Sequence, residues 1–274
     1  MPDNKSITKT GSVGWRLFLY VATAVVILFM VLPILAILPL SFNGSQFLAY
    51  PMRGASAQWY GELISSPKWS HAIWNSLLIG SSAAIIATIL GTTAALGLWW
   101  SEYKGKAIVT AFLLSPMVVP VVVFGVGLSL FLGPLGLVRS YTSIILAHAA
   151  LGSPFVVITV GAALASYDRN LTRAALGLGA EPIYAFRRVM LPLIVPGVLS
   201  GAVFAFATSF DEVVVVMLIG GPEHRTLPRE MFSAIRENLS PTIAAAATVM
   251  TIAAIAVVAC VQILQRPRQI DKAP

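Results

Sequence analysis

The sequence predicts an all-α integral membrane protein of about six transmembrane helices, and three observations predict it. Of the 274 residues, 57% are hydrophobic and only 11% charged, whereas soluble domains carry about 25% charged residues. The apolar residues fall in long blocks instead of amphipathic stripes, and a helix needs about 20 such residues to cross a bilayer core about 30 Å thick. Polar or breaker-rich joints separate the blocks, so residues 1–274 read as one transmembrane domain with no separate soluble part.

The expected spans are 17–42, 73–100, 107–132, 142–165, 193–220 and 242–265. Lys5, Lys9 and Arg16 precede the first. That run is longer than the ~7–15 residues of a secretory signal core and has no small-residue cleavage site, so it reads as an uncleaved first span. The joint from Ser101 to Lys106 is a tight polar hairpin, and Gly133-Pro134-Leu135-Gly136 marks a second turn. Pro33, Pro39, Pro116, Pro120 and Pro154 lie inside spans, where each removes a helix hydrogen bond and bends the axis. The pairs Gly80/Ala84 and Gly91/Ala95 allow helices to approach closely.

Basic residues set the expected orientation. With the N-terminus inside, the inner segments hold Lys5, Lys9, Arg16, Lys104, Lys106, Arg169, Arg173, Arg187, Arg188, Arg266, Arg268 and Lys272. The outer ones hold only Arg53, Lys68, Arg139, Arg225, Arg229 and Arg236. The excess of Lys and Arg places both termini in the cytoplasm. A net charge of +7 invites comparison with nucleic-acid binders, but the basic residues punctuate apolar blocks and form no single stripe with aromatics. Cys260 stands alone in an apolar run, so neither an internal disulfide nor a Cys/His metal site is expected.

The joint 166–192 is too long to be a bare connection. It reads as two short helices. The first has Asn170 as a cap candidate and ends at Gly177 and Gly179, the latter suited to a left-handed conformation. The second opens at Glu181-Pro182 and is ended by Leu191-Pro192. In it, Ile183, Phe186, Val189 and Met190 share one face, with Arg187 and Arg188 off it. That apolar face calls for a protein partner or the bilayer surface.

Within this joint, Arg173-Ala174-Ala175, three residues, Gly179, nine residues, Val189, one residue and Leu191-Pro192 resemble the EAA motif of permease subunits in binding-protein-dependent ABC importers. One position departs: Arg173 stands where that family usually has Glu. The resemblance covers roughly residues 60–265. It is greatest to the second permease of spermidine/putrescine-type systems, through His148 with Pro154-Phe155-Val156-Val157, Ser209-Phe210-Asp211-Glu212-Val213-Val214, Gly221-Pro222, Thr226-Leu227-Pro228 and Ser240-Pro241. Permeases for opines, aminophosphonates and related zwitterions look similar.

The resemblance implies a type I importer permease fold in a bacterial inner membrane. It implies four kinds of partner: the membrane, a second permease, two ATPase subunits carrying ATP and Mg, and an extracytoplasmic solute-binding protein. It also implies that Arg173, Ala174, Ala175, Gly179, Phe186, Leu191 and Pro192 form the coupling segment docking on the ATPase. In the polyamine group an acidic residue often follows the proline of the third span; here Val121 follows Pro120.

The chain itself offers no GxxxxGK[ST] phosphate loop, since Gly105-Lys106 is followed by Ala107. It also shows no arrangement for covalent catalysis, so it reads as a transport subunit and not an enzyme. Asp211 and Glu212 fall past the midplane of the fifth span, toward the outside. Carboxylates there cost about 2.5–3.5 kcal/mol and face water or a partner. At least one of them, with Ser209 and His148, is expected on the translocation path, recognising a positive group; the other reading of His148 is a hydrogen-bonded packing residue. A pairing with Arg139, or with a basic residue of another subunit, is the structural alternative; an ion-coupled carrier using Asp211, Glu212 and His148 as a relay, or a membrane scaffold or sensor docking through the joint 166–192, is the alternative function. Trp59, Tyr60, Trp69 and Trp74 are expected as anchors at the outer interface.

Overall fold

The computed structural model describes residues 13–264 apart from residues 53 and 238. Lys5, Lys9, Arg53, Arg266, Arg268 and Lys272, and the last residue of the sixth expected span, lie outside the described residues. Among the described residues every regular element is helical, with one isolated bridge between Asn43 and Ala55. The helices are α1 Val13–Leu40, α2 Gln58–Ser65, α3 Pro67–Trp100, α4 Lys106–Val118, α5 Val121–Leu132, α6 Tyr141–Ala165, α7 Arg169–Gly177, α8 Pro182–Ala185, α9 Leu191–Asp211, α10 Val214–Ile219, α11 Leu227–Glu237 and α12 Pro241–Leu264.

Among the described residues five helical runs are long and apolar enough to cross a membrane: Gly14–Leu40, Pro67–Trp100, Tyr141–Ala165, Pro182–Asp211 and Pro241–Ile263. The third expected span, 107–132, is not one helix. It is the pair α4 and α5, bent by 104°. Pro120 has no N–H and pushes the residue before it out of the helical region. Val119 and Pro120 are accordingly both extended, with ψ of 127° and 129°. At 1.5 Å per residue each half measures about 20 Å, too short to cross alone.

The fifth expected span, 193–220, differs at both ends. Toward the N-terminus the helix does not stop at Leu191-Pro192: α8 runs through a π-helical turn, Phe186–Met190, directly into α9. The Leu191 N–H reaches back to Phe186 O. This widened turn moves aside the carbonyl against which the Pro192 ring would otherwise press. Toward the C-terminus α9 ends at Asp211, and after a break at Glu212 and Val213 the short α10 follows.

The core is the packing of α3, α6 and α9, with α6 the most buried of the spans. All three meet at Val156, which is fully buried. A Cβ on Gly91 of α3 would lie 2.6 Å from the Val156 Cβ, and one on Gly201 of α9 would lie 2.8 Å from the Val156 Cα. Only glycine permits this approach, the small-residue packing typical of membrane helices. By contrast α1 packs along α12 and leaves most of its side chains exposed. At the end of the bundle bearing α2 and α11, Trp59 and Trp69 are buried in a cluster with Leu63, Leu227 and Ile243. Trp59 also donates to Asn43 O at 2.5 Å. These two are core residues and not the interfacial anchors expected; Tyr60 is half-buried with its hydroxyl 2.7 Å from Ser41 Oγ, and Trp74 is exposed.

Candidate functional site

At one end of the bundle the loop between α6 and α9 is folded and latched. α7 is capped by Asp168, whose Oδ1 accepts from Asn170 N at 2.9 Å, so the cap lies two residues before the expected Asn170. The helix closes as a Schellman turn: Gly179 N donates to Leu176 O and Ala180 N to Ala175 O, both at 3.0 Å. Gly179 has φ +86°, the left-handed conformation its place in the sequence calls for. Arg169 ties α7 to the end of α3. Its guanidinium lies 4.3 Å from the centre of the Trp99 ring and donates to Trp99 O at 2.8 Å.

The apolar face expected on the second loop helix is divided. Met190 is buried, and Phe186 and Leu191 pack beside it against Leu164, Tyr167 and Ile194. This side therefore has a partner within its own chain, contrary to expectation. Instead Leu178, Ile183 and Tyr184 project, at 90%, 67% and 58% exposure. Arg173, Ala174, Gly179 and Pro192 are also exposed and Ala175 half-buried. The sequence reading included Ile183 but missed Leu178 and Tyr184. Their isolation beside a glycine turn was the available signal.

The polar residues expected on the path separate into three roles. His148 is fully buried, and its Nδ1 lies 2.7 Å from Ser209 Oγ, which joins α6 to α9 inside the bundle. Glu212 is committed to the backbone: its Oε1 accepts from Val214 N at 2.7 Å and Val215 N at 3.0 Å. It thereby supplies the start of α10 with the acceptor a cap residue normally provides. Asp211 is exposed at the carbonyl end of α9. It borders a cavity of about 330 Å³ between α9 and α12, together with Phe206, Phe210, Thr251 and Ala254. Phe206 and Phe210 are stacked at 5.3 Å. Among the described residues neither Asp211 nor Glu212 forms an ion pair. The expected alternative partner, Arg139, bonds through its backbone N–H to Ile219 O at 2.8 Å.

At the far end from α7, a polar network that the sequence reading missed fastens residues 221–227 to the spans. Asn75 of α3 donates to Glu223 O at 2.8 Å and Arg225 O at 3.0 Å, and accepts from the Tyr141 hydroxyl at 2.9 Å. Ser76 Oγ accepts from Leu227 N at 2.7 Å. Glu230 of α11 is fully buried between Lys68 at 2.7 Å and Arg225 at 3.1 Å. His224 accepts from Gly221 N at 3.2 Å through Nδ1, with Glu223 3.3 Å from the same nitrogen. Burial lowers its pKa below the usual histidine value, against the raising effect of Glu223 and with the help of Arg229. Burial, with Arg225 as a like charge, also lowers that of Arg229. Adjacent polar residues Asn75 and Ser76 in an otherwise apolar span were the signal for this network.

Over 240 residues the chain is 30% identical to the spermidine/putrescine transport system permease protein PotC of Escherichia coli K12, covering 88% of this chain and 90% of that one. It is 34% identical over 229 residues to the putrescine transport system permease protein PotI of the same organism, covering 81% of each. Its fold matches a chain of a bacterial ABC transporter involved in import of the acidic polysaccharide alginate, with TM-score 0.70, 17% identity and coverage of 93% and 96%. The architecture is thus that of type I importer permeases. Residues 87–267 match the family described as binding-protein-dependent transport system inner membrane component, and the chain belongs to that family.

Proposed function

We propose that the chain is the permease subunit of an ATP-driven importer that carries an amine-bearing cation, a polyamine or a close relative, into the cytoplasm. The observation that carries the substrate class is Asp211. A helix C-terminus bears a partial negative charge, so an aspartate there adds its charge to that of the last carbonyls and favours a cation. Ends of broken helices serve cation sites in transporters in this way, and the stacked Phe206 and Phe210 add aromatic surface suited to an ammonium group. The names of the curated relatives support the same substrate class.

In this reading α7 and the Leu178–Tyr184 projection face the cytoplasm and dock on the ATPase, both termini are cytoplasmic, and ATP and Mg belong to that separate subunit. A second permease completes the path, and a binding protein delivers solute to the face bearing α11. Ser209 and His148 support the path from behind by holding α9, and do not line it. One feature favours a second reading. Glu212 has one carboxylate oxygen held by the start of α10, so Asp211 alone offers a free carboxylate to the cavity. A solute with one amine, such as an opine-like or aminophosphonate-like zwitterion, matches a single carboxylate.

Uptake by the reconstituted importer tests both. Asp211→Asn keeps the shape and removes the charge; a charged hydrogen bond contributes about 1.5–3 kcal/mol. The expected result is a rise of about tenfold or more in half-saturation for the cation, with assembly unchanged. Competition by diamines against single-amine zwitterions separates the two readings. Unchanged uptake in Asp211→Asn removes the basis for either.

A further inference from the structure

We propose that His148 is a positioning residue for transport. Through Ser209 it fixes the rotation of the last turn of α9 and so aims Asp211 at the cavity between α9 and α12, a role that rests on Asp211 being the carboxylate that meets the solute.

α6 and α9 pack along a seam with a rung at every fourth residue of α9. A Cβ on Gly197 would lie 2.7 Å from the Ala163 Cβ, and one on Gly201 would lie 2.8 Å from the Val156 Cα. At the third rung a Cβ on Gly152 would lie 2.9 Å from the Ala205 Cβ. Contacts between such small residues set how closely the helices approach, but they hold no directional bond that would fix the rotation of either. The fourth rung is different. Ser209 Oγ and His148 Nδ1 are 2.7 Å apart, and both residues are buried. Nε2 of the same ring is buried with no hydrogen-bond partner among the described residues. The polar contact of this ring is therefore with Ser209, and a hydrogen bond, unlike the three rungs below it, is directional.

Asp211 follows Ser209 by two residues, which is about 200° around a helix. The hydroxyl that faces α6 and the carboxylate that borders the cavity with Thr251 and Ala254 of α12 accordingly lie on opposite sides of one turn. The backbone secures that turn weakly: Glu212 N to Ser209 O, the bond that closes it, is 3.4 Å long, beyond the usual range of about 2.7–3.2 Å. The stack of Phe206 on Phe210 is internal to α9 and rotates with it. Loss of the His148 contact lets the last turn rotate and takes the carboxylate out of line with the cavity.

The test uses the importer with its co-purifying partners. Asp211→Cys in a Cys260→Ser chain, which removes the one exposed native thiol, is labelled with a trimethylammonium methanethiosulfonate. The labelling rate reads the aim of position 211 whatever solute is carried. Ser209→Ala should slow it about twofold to tenfold, the weight of one hydrogen bond, and Ser209→Thr, which keeps the hydroxyl, should label as the parent does. In proteoliposomes with Asp211 intact, Ser209→Ala should raise half-saturation for putrescine by a similar factor at little change in maximal rate. The double variant His148→Leu with Ser209→Ala leaves no polar atom of the pair unsatisfied, so it should melt close to wild type yet keep the raised half-saturation. In an Asp211→Asn chain, Ser209→Ala should add nothing. Labelling unchanged by Ser209→Ala overturns the proposal. A double variant that recovers half-saturation together with stability assigns the pair to packing and overturns it too, as does a full effect of Ser209→Ala in the Asp211→Asn chain. Slowed labelling with uptake unchanged in Asp211→Asn upholds the aiming contact and refutes instead the reading of Asp211 as the solute's carboxylate.

Discussion

Substitution of Gly179 separates backbone conformation from contact volume as the reason a glycine stands in the loop. Its φ is +86°, and a Cβ built on it meets nothing within 4 Å in the chain. The cost of a side chain is therefore purely conformational: about 1–2 kcal/mol for an ordinary L-residue held in the left-handed region. That is a factor of about 5–30 in the population of the closed turn. A β-branched residue is worse, and asparagine, which visits this region most readily after glycine, is better. The assay is ATP-dependent uptake together with ATP hydrolysis in proteoliposomes, after checking that the ATPase co-purifies. Transport per ATP should fall in the order Gly, Asn, Ala, Val, with Asn close to wild type. If Asn and Val are equally damaging, side-chain volume against the docked subunit is the cause and the conformational argument is wrong. If all three behave as wild type, the turn plays no part in coupling.

Three further outcomes follow from the geometry. Glu212→Ala removes the acceptor for Val214 N and Val215 N and should cost about 1 kcal/mol, the usual value of a cap. Glu212→Gln retains an acceptor oxygen and should melt close to wild type in detergent; equal melting of all three would count against the capping role. Gly201→Ala places a Cβ 2.5 Å from Thr159 Oγ1 and 2.8 Å from the Val156 Cα. It should destabilise by about 1–3 kcal/mol through overpacking, read as a lowered melting temperature, whereas Gly97→Ala, with nothing within 4 Å, should not. Burial holds the His224 pKa below the usual histidine value of 6.5 in the fold, so the unfolded or undocked segment binds the proton more readily. The docking contribution is then fully present above about 6.5 and is lost as pH falls below it. Protection factors of residues 220–226, with the base-catalysed slowing of intrinsic exchange divided out, should fall from pH 7.5 to 5.5, and His224→Gln should abolish that fall.

Hydropathy reports what lipid can surround, and α6 and α12 overlie the fourth and sixth expected spans for that reason. It is blind to the bend at Val119-Pro120, because the apolar run has the same average whether straight or folded back. The proline carried that information and was read only as a kink. Gly179 was legible because a left-handed turn is a local matter of backbone sterics. The burial of Phe186 and Met190 was not, since it depends on Leu164 and Tyr167 reaching them across the bundle. Asp211 and Glu212 are adjacent and similar in chemistry, and their different fates arise from where α9 stops. Glu212 followed by Val213-Val214 is a cap in this setting, but a carboxylate inside an apolar block draws attention to charge and not to backbone. The pairing of His148 with Ser209, 61 residues apart, is tertiary and has no local signature.

The unbroken helical run from Pro182 to Asp211 makes the loop and the proposed solute carboxylate two ends of one rod. Gly201 presses this rod against α6 without intervening side chain, and so provides a natural fulcrum. At 1.5 Å per residue the arms measure about 28 Å toward Pro182 and about 15 Å toward Asp211. A push of about 4 Å on the loop becomes about 2 Å at Asp211, in the opposite sense. The π turn is the compliant joint in the long arm, and the stiffness of that one turn sets how much of the stroke delivered to the loop reaches the carboxylate.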